Sequence, residues 1–398
     1  MGVSVARIAI PLVAVSALKM GALEVGLVST FLTLPSLLIG LPAGFWVDRA
    51  SRRSVLVACQ LARALILLTI PAAWWLGVLT VWQLFAAVLL FGSCNVFYDV
   101  AYQSFLPQLV ARDNLLAANA RLTSVSQISL VCGPAVGGQL IALCTAPFSF
   151  LITGVGLVFS SIFVMRIRSP FEAPARPPRT RMLGEVASGM RIVRQNNRLL
   201  ALALSSGWQN LTSYAAYAVT VLFLARNLGL SAGLIGIYYS IVGLGGVAAA
   251  FVARAMSIRI GHGRAMWILL LLGSPFSLVL PLVRPGWSVW AAACANAVVA
   301  FASVAFSISQ VSSCQAMTPD AYLGKVNATM RFVTWSVMPV AALIGGALGS
   351  WIGPRDTLFV TCGAGCLAFL PVFLSPWRRM REMPSLMDLP KPARAGAA

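Results

Sequence analysis

In GFWVDRASRRSVLVACQLARALILLTIPAAWWL, which runs from Gly44 to Leu76, a charged turn gives way to an almost unbroken apolar run. The turn holds Asp48, Arg49, Arg52 and Arg53; from Ser54 to Leu76 the only charge is Arg63. An α-helix rises about 1.5 Å per residue, so roughly twenty apolar residues cross the ~30 Å of hydrocarbon in a bilayer. A basic turn followed by such a run is the repeating unit of a polytopic membrane protein.

The same alternation extends to both ends of the chain. Twelve runs are legible: Gly2 to Leu18, Leu23 to Val47, Ser54 to Leu76, Val81 to Tyr102, Leu122 to Leu143, Phe148 to Met165, Leu199 to Ala225, Leu234 to Ala253, Ala265 to Val283, Val289 to Gln310, Ala328 to Trp351 and Leu358 to Leu374. Hydrophobic residues make up 59% and charged residues 10% of 398, too little polar surface to coat a soluble globule of this size. The alternating strands of a membrane β-barrel are absent from the pattern. The fold class is all-α integral membrane, and the lipid bilayer is the chain's first partner.

A net charge of +19 would point to nucleic acid in a soluble protein. Here the basic residues lie between apolar runs, and their placement sets topology instead. With the amino terminus inside, one side collects Arg49, Arg52, Arg53, Arg112, the arginines of 166–198 and 254–264, Lys325, Arg378, Arg379 and Arg381, against Lys19, Arg226, Arg284 and Arg355 on the other. Both termini are expected in the cytoplasm of a plasma membrane, a bacterial inner membrane, with no nucleic-acid partner. The first run is short, opens at Met1 without a polar lead and has no signal-peptide leader; a start upstream is left open. The eight cysteines lie in apolar runs without metal-ligand spacing, and His262 stands alone in a basic loop. No metal or cofactor is expected.

One long polar interruption, 166–198, divides the spans six and six, giving halves at 1–165 and 199–375 and a cytoplasmic tail at 376–398. Its proline- and arginine-rich start precedes Leu183, Val186, Met190 and Val193 at helical spacing, which predicts an amphipathic helix on the inner membrane surface. At an offset of 208, Asn119 falls on Asn327, Gly137 and Gly138 on Gly345 and Gly346, and Leu140 on Leu348. Internal repeats of this kind mark secondary transporters, whose halves rock about a central site.

Two motifs stand out. In the turn, Gly44 is expected to admit a close helix approach and Asp48 sits at a helix end beside the basic Arg49, Arg52 and Arg53; a plain positive-inside loop would also read this way. In SLVCGPAVGGQL, Gly133, Pro134, Gly137 and Gly138 thin and bend one helix face, which packing alone could require. GFWVDRASRR resembles the loop between spans two and three of the major facilitator superfamily, G-x-x-x-D-R-x-G-R-R/K, with Ser51 in place of the second glycine. The G-P-x-x-G-G pattern is similar to the antiporter motif of drug exporters in that superfamily. NVFYDVAYQSFLPQLV and TPDAYLGKVNATMRF look like its multidrug and macrolide efflux branch, which includes siderophore exporters. The resemblance spans the whole chain. It implies twelve helices in two pseudo-symmetric six-helix halves, a cytoplasmic gate at Asp48 and its arginines, and monomeric export of a small organic substrate against protons.

In that fold spans one, four, seven and ten line the pathway, and their faces are polar here. Asn95, Asp99 and Tyr102 share one face of span four; Asn210, Tyr214 and Tyr217 repeat the spacing in span seven beside Trp208; Asn296, Ser303, Ser307 and Gln310 form a stripe on span ten. Mixed polar and aromatic faces suit an amphipathic drug, macrolide or siderophore-like molecule, and helix–helix glue is the plainer alternative. Asp99 is the acid clearly within a span, a candidate proton carrier or ion-pair partner for Arg63 and Arg7. Many relatives carry an acid early in span one, near where this chain begins. No P-loop, paired carboxylates or nucleophile–base pair is present, so direct ATP drive and a membrane-embedded lipid enzyme are disfavoured. Uptake or facilitated passage of a small metabolite is the nearer rival.

Overall fold

The computed structural model describes residues 2–47, 49–109, 115–144, 148–167 and 182–381. Among these there are helices and turns and no strand. In chain order the helices are α1 (Gly2–Ser16), α2 (Ala22–Leu38), α3 (Gly40–Val47), α4 (Arg52–Trp75), α5 (Val81–Leu109), α6 (Leu115–Cys144), α7 (Phe148–Arg166), α8 (Met182–Gln195), α9 (Asn197–Leu222), α10 (Ala232–Ile260), α11 (His262–Gly273), α12 (Val279–Leu282), α13 (Ser288–Met317), α14 (Asp320–Trp351), α15 (Pro354–Gly365) and α16 (Leu370–Phe373). Among the described residues nine helical stretches are long and apolar enough to cross a membrane; Ser4–Ser16 and Ala22–Leu38 are shorter apolar helices. The architecture is the twelve-helix, two-half arrangement that the apolar runs predict, with α8 between the halves.

Three spans expected to be continuous are interrupted. The second breaks at Ile39 between α2 and α3, because Pro42 has no N–H to give the Leu38 carbonyl. The ninth passes through a 3-10 turn at Ser274–Leu278 that contains Pro275, and the twelfth through one at Cys366–Phe369 ahead of Pro371. Helix ends also outrun the apolar limits: α5 continues to Leu109, α6 starts at Leu115, α13 reaches Met317 and α14 starts at Asp320. Backbone hydrogen bonding continues in water, whereas hydropathy marks only the part within lipid.

Local chemistry sets the helix starts. Ser51 accepts from the Ser54 N–H at 3.2 Å, Asn196 from the Arg198 and Leu199 N–H groups at 2.9 and 3.2 Å, and Ser231 from Leu234 at 3.4 Å. Gly261, at φ +95, turns the chain between α10 and α11. The linker helix α8 docks on protein: Val193 is buried with Leu199, Met266, Met317, Met330 and Trp377, and Gly189 lies against Lys325 and Thr329 of α14. Of the expected amphipathic stripe, Val193 thus packs on protein, and the side chains of Leu183 and Val186 lie outside the described residues. Residues 168–181 lie outside the described set.

Within the first half α4 packs on α5 and α7, α2 on α5, and α1 on α6; within the second α10 packs on α13 and α9 on α14 and α15. The halves join through two crossings, α2 on α14 and α6 on α10. At the first, a Cβ on Gly26 would lie 2.5 Å from the Gly346 Cα and 2.9 Å from the Ala342 carbonyl. At the second, a Cβ on Gly138 would lie 2.5 Å from the Ala232 carbonyl and 2.9 Å from the Gly236 Cα, while Gly236 faces the Pro134 carbonyl. Each crossing carries one bridging hydroxyl: Thr30 donates to the Pro339 carbonyl at 3.3 Å, and Ser240 to the Val131 carbonyl at 2.6 Å. Gly138 and Gly346 are 208 residues apart, as are Val131 and Pro339; Gly26 and Gly236 are 210 apart, as are Thr30 and Ser240. The repeat seen in the chain is therefore a pair of equivalent backbone-to-backbone contacts, the small-residue packing that substitutes for the hydrophobic effect in lipid.

Candidate functional site

Both crossings lie toward the end of the bundle that carries the turn from α1 to α2. They seal that end. Deeper between the halves lies a cavity of about 560 Å³, walled by α1, α2, α4 and α5 on one side and by α9 and α14 on the other. Pockets of this size hold small organic ligands.

Its polar wall is built from α1, α4 and α5. Arg63 is buried at 2% exposure, a charge that must be compensated. Its Nη1 donates to Asn95 Oδ1 at 2.8 Å, Nη2 to Gln60 Oε1 at 3.0 Å and Nε to the Cys59 carbonyl at 3.3 Å; the guanidinium lies 4.0 Å from the Tyr98 ring centroid. Gln60 in turn donates to Ser160 Oγ at 2.7 Å, anchoring the network on α7. Asp99, exposed to the cavity, sits in the electrostatic field of Arg63, Arg331 and Arg7. Arg7 lines the same cavity, and its backbone carbonyl accepts from the Tyr217 hydroxyl at 3.2 Å. Phe91, Tyr98, Tyr214, Tyr217 and Trp335 supply aromatic surface.

A smaller cavity of about 270 Å³ adjoins it, sharing Ser213 and Tyr217. This one is neutral. Asn296 Nδ2 donates to Tyr238 Oη at 2.6 Å, and Gln209 Nε2 donates to Ser303 Oγ at 2.7 Å.

Among the expected site residues, Arg7, Arg63, Asn95, Asp99, Tyr214 and Tyr217 meet at the larger cavity, and Asn296 and Ser303 at the smaller. Others stand outside both. Tyr102, one turn beyond Asp99, stacks on Tyr98 at 5.9 Å; Ser307 is exposed; Trp208 Nε1 donates to the Ala364 carbonyl at 2.7 Å. Asn210 donates to the Ser206 carbonyl and Gln310 to Ser206 Oγ, at 2.9 and 3.0 Å. Of these, Trp208 and Gln310 tie helices together, whereas Tyr102 and Asn210 make contacts within their own helices; a cavity occupies only part of a helix's length, and a polar stripe continues along it. Among the described residues Arg63 hydrogen-bonds Asn95 and Gln60, and it acts on Asp99 through charge rather than through a hydrogen bond.

The turn motif is held within its own half. Trp46 stacks on Phe97 with centroids 5.7 Å apart, and Arg53 Nη2 donates to the Met165 carbonyl. Asp48 lies outside the described residues, and Arg49 is exposed. At Gly44, where a close approach was expected, a Cβ would meet nothing within 4 Å among the described residues. In the second motif a Cβ on Gly133 would meet Ser4 and one on Gly137 would meet Val5, both of α1, while Pro134 and Gly138 face α10. That motif is where three helices converge.

Arg331 and Trp335 were not among the expected site residues. Arg331 lies over the Trp335 ring at 4.4 Å, with Trp335 on the cavity wall. The signal was available: an arginine four residues before a tryptophan, inside the apolar run Ala328 to Trp351, is an in-span base on the same helix face.

Comparison with known proteins adds the ancestry. Enterobactin exporter EntS of Escherichia coli O1:K1 / APEC is 28% identical over 377 residues, covering 91% of this chain and 86% of that protein. EntS of strain SMS-3-5 / SECEC is 28% identical over 383 residues, covering 92% and 86%. Among solved structures, a bacterial homologue of the iron transporter ferroportin in the inward-facing state aligns with a TM-score of 0.71 at 16% identity, over 95% of this chain and 97% of that one. A bacterial homologue of the human lysosomal transporter Spinster, inward-facing and occupied, aligns at 0.73 with 13% identity, over 95% and 94%. These structures share the fold. The Major Facilitator Superfamily model matches residues 1–342, so with its paired six-helix halves and the cavity between them the chain belongs to the Major Facilitator Superfamily and is a multi-pass membrane transporter rather than an enzyme.

Proposed function

We propose that the chain exports an amphipathic, siderophore-like organic molecule by alternating access, with protons as the coupling ion. The observation that carries this reading is the cavity of about 560 Å³ between two halves that touch through paired glycine crossings at one end. Separation at those crossings, with closure at the end bearing the Gly44–Arg53 turn, would present the same site to the other side of the membrane. The relationship to EntS supports a siderophore-like cargo and outward direction. Asp99 is the carboxylate placed to exchange a proton or an ion-pair partner between states, set among Arg7, Arg63 and Arg331. In this reading Asp48 and its arginines gate the cytoplasmic end, the Gly133–Gly138 motif supports the crossing, residues 166–198 join the halves in the cytoplasm with both termini, and a monomer is sufficient.

The test is siderophore release from otherwise identical bacteria with and without the chain, before and after a protonophore. Expected is more siderophore in the medium of expressing cells, lost when the gradient collapses. Accumulation inside expressing cells would reverse the direction, and release indifferent to the gradient would remove proton coupling.

A further inference from the structure

The walls of the two cavities carry unequal charge. The larger one is lined by two arginines, Arg7 and Arg63, and one carboxylate, Asp99, on which Arg331 also acts from α14. Arg63 spends its hydrogen bonds on neutral groups, Asn95, Gln60 and the Cys59 carbonyl, so its charge is solvated but not cancelled. Arg7 is exposed on the cavity wall, and among the described residues its side chain makes no hydrogen bond. A single Asp99 does not balance the two arginines of the wall, Arg7 and Arg63, in a low-dielectric setting.

From this imbalance, and resting on the transport reading above, we infer that the cavity selects an organic anion: an aromatic molecule whose carboxylate or ionised phenol is held by Arg7. The aromatic body then lies against Tyr98, Tyr214 and Trp335. Its uncharged remainder extends past Tyr217 into the smaller pocket, where the Tyr239 hydroxyl is buried without a hydrogen-bond partner among the described residues. An arginine is suited to this role because its fork matches a carboxylate in two parallel hydrogen bonds. A cationic drug would meet repulsion at the same place.

The test uses the full chain in detergent and three probes of one shape: naphthaleneacetate, its neutral amide and the corresponding naphthyl amine, titrated calorimetrically. Wild type should bind the acid at least about tenfold more tightly than the amide, an effect of ~1.4 kcal/mol, and the amine most weakly. Arg7→Gln should bring the acid-to-amide ratio to near one, and Arg7→Lys should keep most of it. If Arg7→Gln does not fold, the wild-type order alone decides, with Arg331→Gln expected to lower the ratio. Equal affinity for acid and amide, preference for the amine, or no binding of any probe would overturn the inference. Vesicle transport separates it from the broader reading: an acid that binds selectively but is never moved counts against transport alone, whereas siderophore movement without charge preference counts against the anion site alone.

Discussion

The two halves are alike where they touch each other and unlike where they face the cavity. At the crossings, Gly26, Thr30 and their partners Gly346 and Pro339 are matched by Gly236, Ser240, Gly138 and Val131. Arg7, Arg63 and Asp99 of the first half line the larger cavity, where the second half's charge is Arg331 behind Trp335; the smaller cavity, lined wholly by the second half, holds neutral pairs, Gln209 with Ser303 and Asn296 with Tyr238. Sterics explains the likeness. Two helix backbones in contact leave no room for a side chain, and either crossing fails if either partner gains one. A cavity wall has no such constraint, so the halves were free to diverge there, and the divergence marks where charge is handled.

The largest expected effect strikes the shared feature. Gly26→Leu and Gly236→Leu should each hold the crossings apart and cut export to below about a tenth of wild type, since neighbouring backbone cannot yield to the added carbons. In a cysteine-free background, a cysteine at Val28 should become reactive from the formerly sealed side in both variants. Markedly unequal responses would break the equivalence of the crossings.

Next is Asp99→Asn, which should lower uphill export at least about tenfold while the protein still inserts. Substrate exchange without a gradient tells the roles apart. Exchange that survives assigns the proton to Asp99, and exchange that falls with export assigns it an ion-pair role with the arginines. Full export by this variant would remove the distinction between the two walls.

Arg63→Leu comes third, because it strips Asn95 and Gln60 of a shared partner. An unmade buried hydrogen bond costs about 1–3 kcal/mol, so the melting temperature in detergent should fall measurably. The corresponding change in the neutral wall, Gln209→Leu, should alter export less than about threefold, since a neutral hydrogen bond contributes only ~0.5–1.5 kcal/mol. Trp208→Phe should be nearly silent in transport, as its indole only anchors α9 to the Ala364 carbonyl. If Gln209→Leu proved as damaging as Asp99→Asn, the contrast between the walls would be lost.

The span count, fold and family were legible because lipid imposes a coarse rule, one apolar run per crossing. Helix breaks at Ile39 and Ser274 were less so, although Pro42 and Pro275 announced them; a hydropathy window averages over a missing N–H. The glycine repeat was legible in α6 and α14 but not in their partners, since Gly26 and Gly236 follow an offset of 210 rather than 208. A two-residue difference in loop length hid half of the symmetry. Of the polar faces read from the sequence, residues at mid-helix such as Asn95 and Tyr214 line the larger cavity. Tyr102, Ser307 and Gln310 line neither cavity, because helical periodicity specifies a direction around the axis and is silent on depth. Arg331 escaped notice because the run was read from its apolar members.

Trp377 closes the second half from the far end of the chain. It is fully buried on a 3-10 turn at Pro376–Arg379, its indole donates to the Arg198 carbonyl at 3.0 Å, and it fills a cluster shared with α8, α9, α11, α13 and α14. A core that needs Trp377 is unfinished until that residue has been synthesised and brought to the bundle. Chains that end before Pro376 would leave an apolar hole costing about 3–5 kcal/mol, the range for deleting a buried tryptophan, and so would be marked for membrane quality control. For expression, affinity tags belong beyond Arg381.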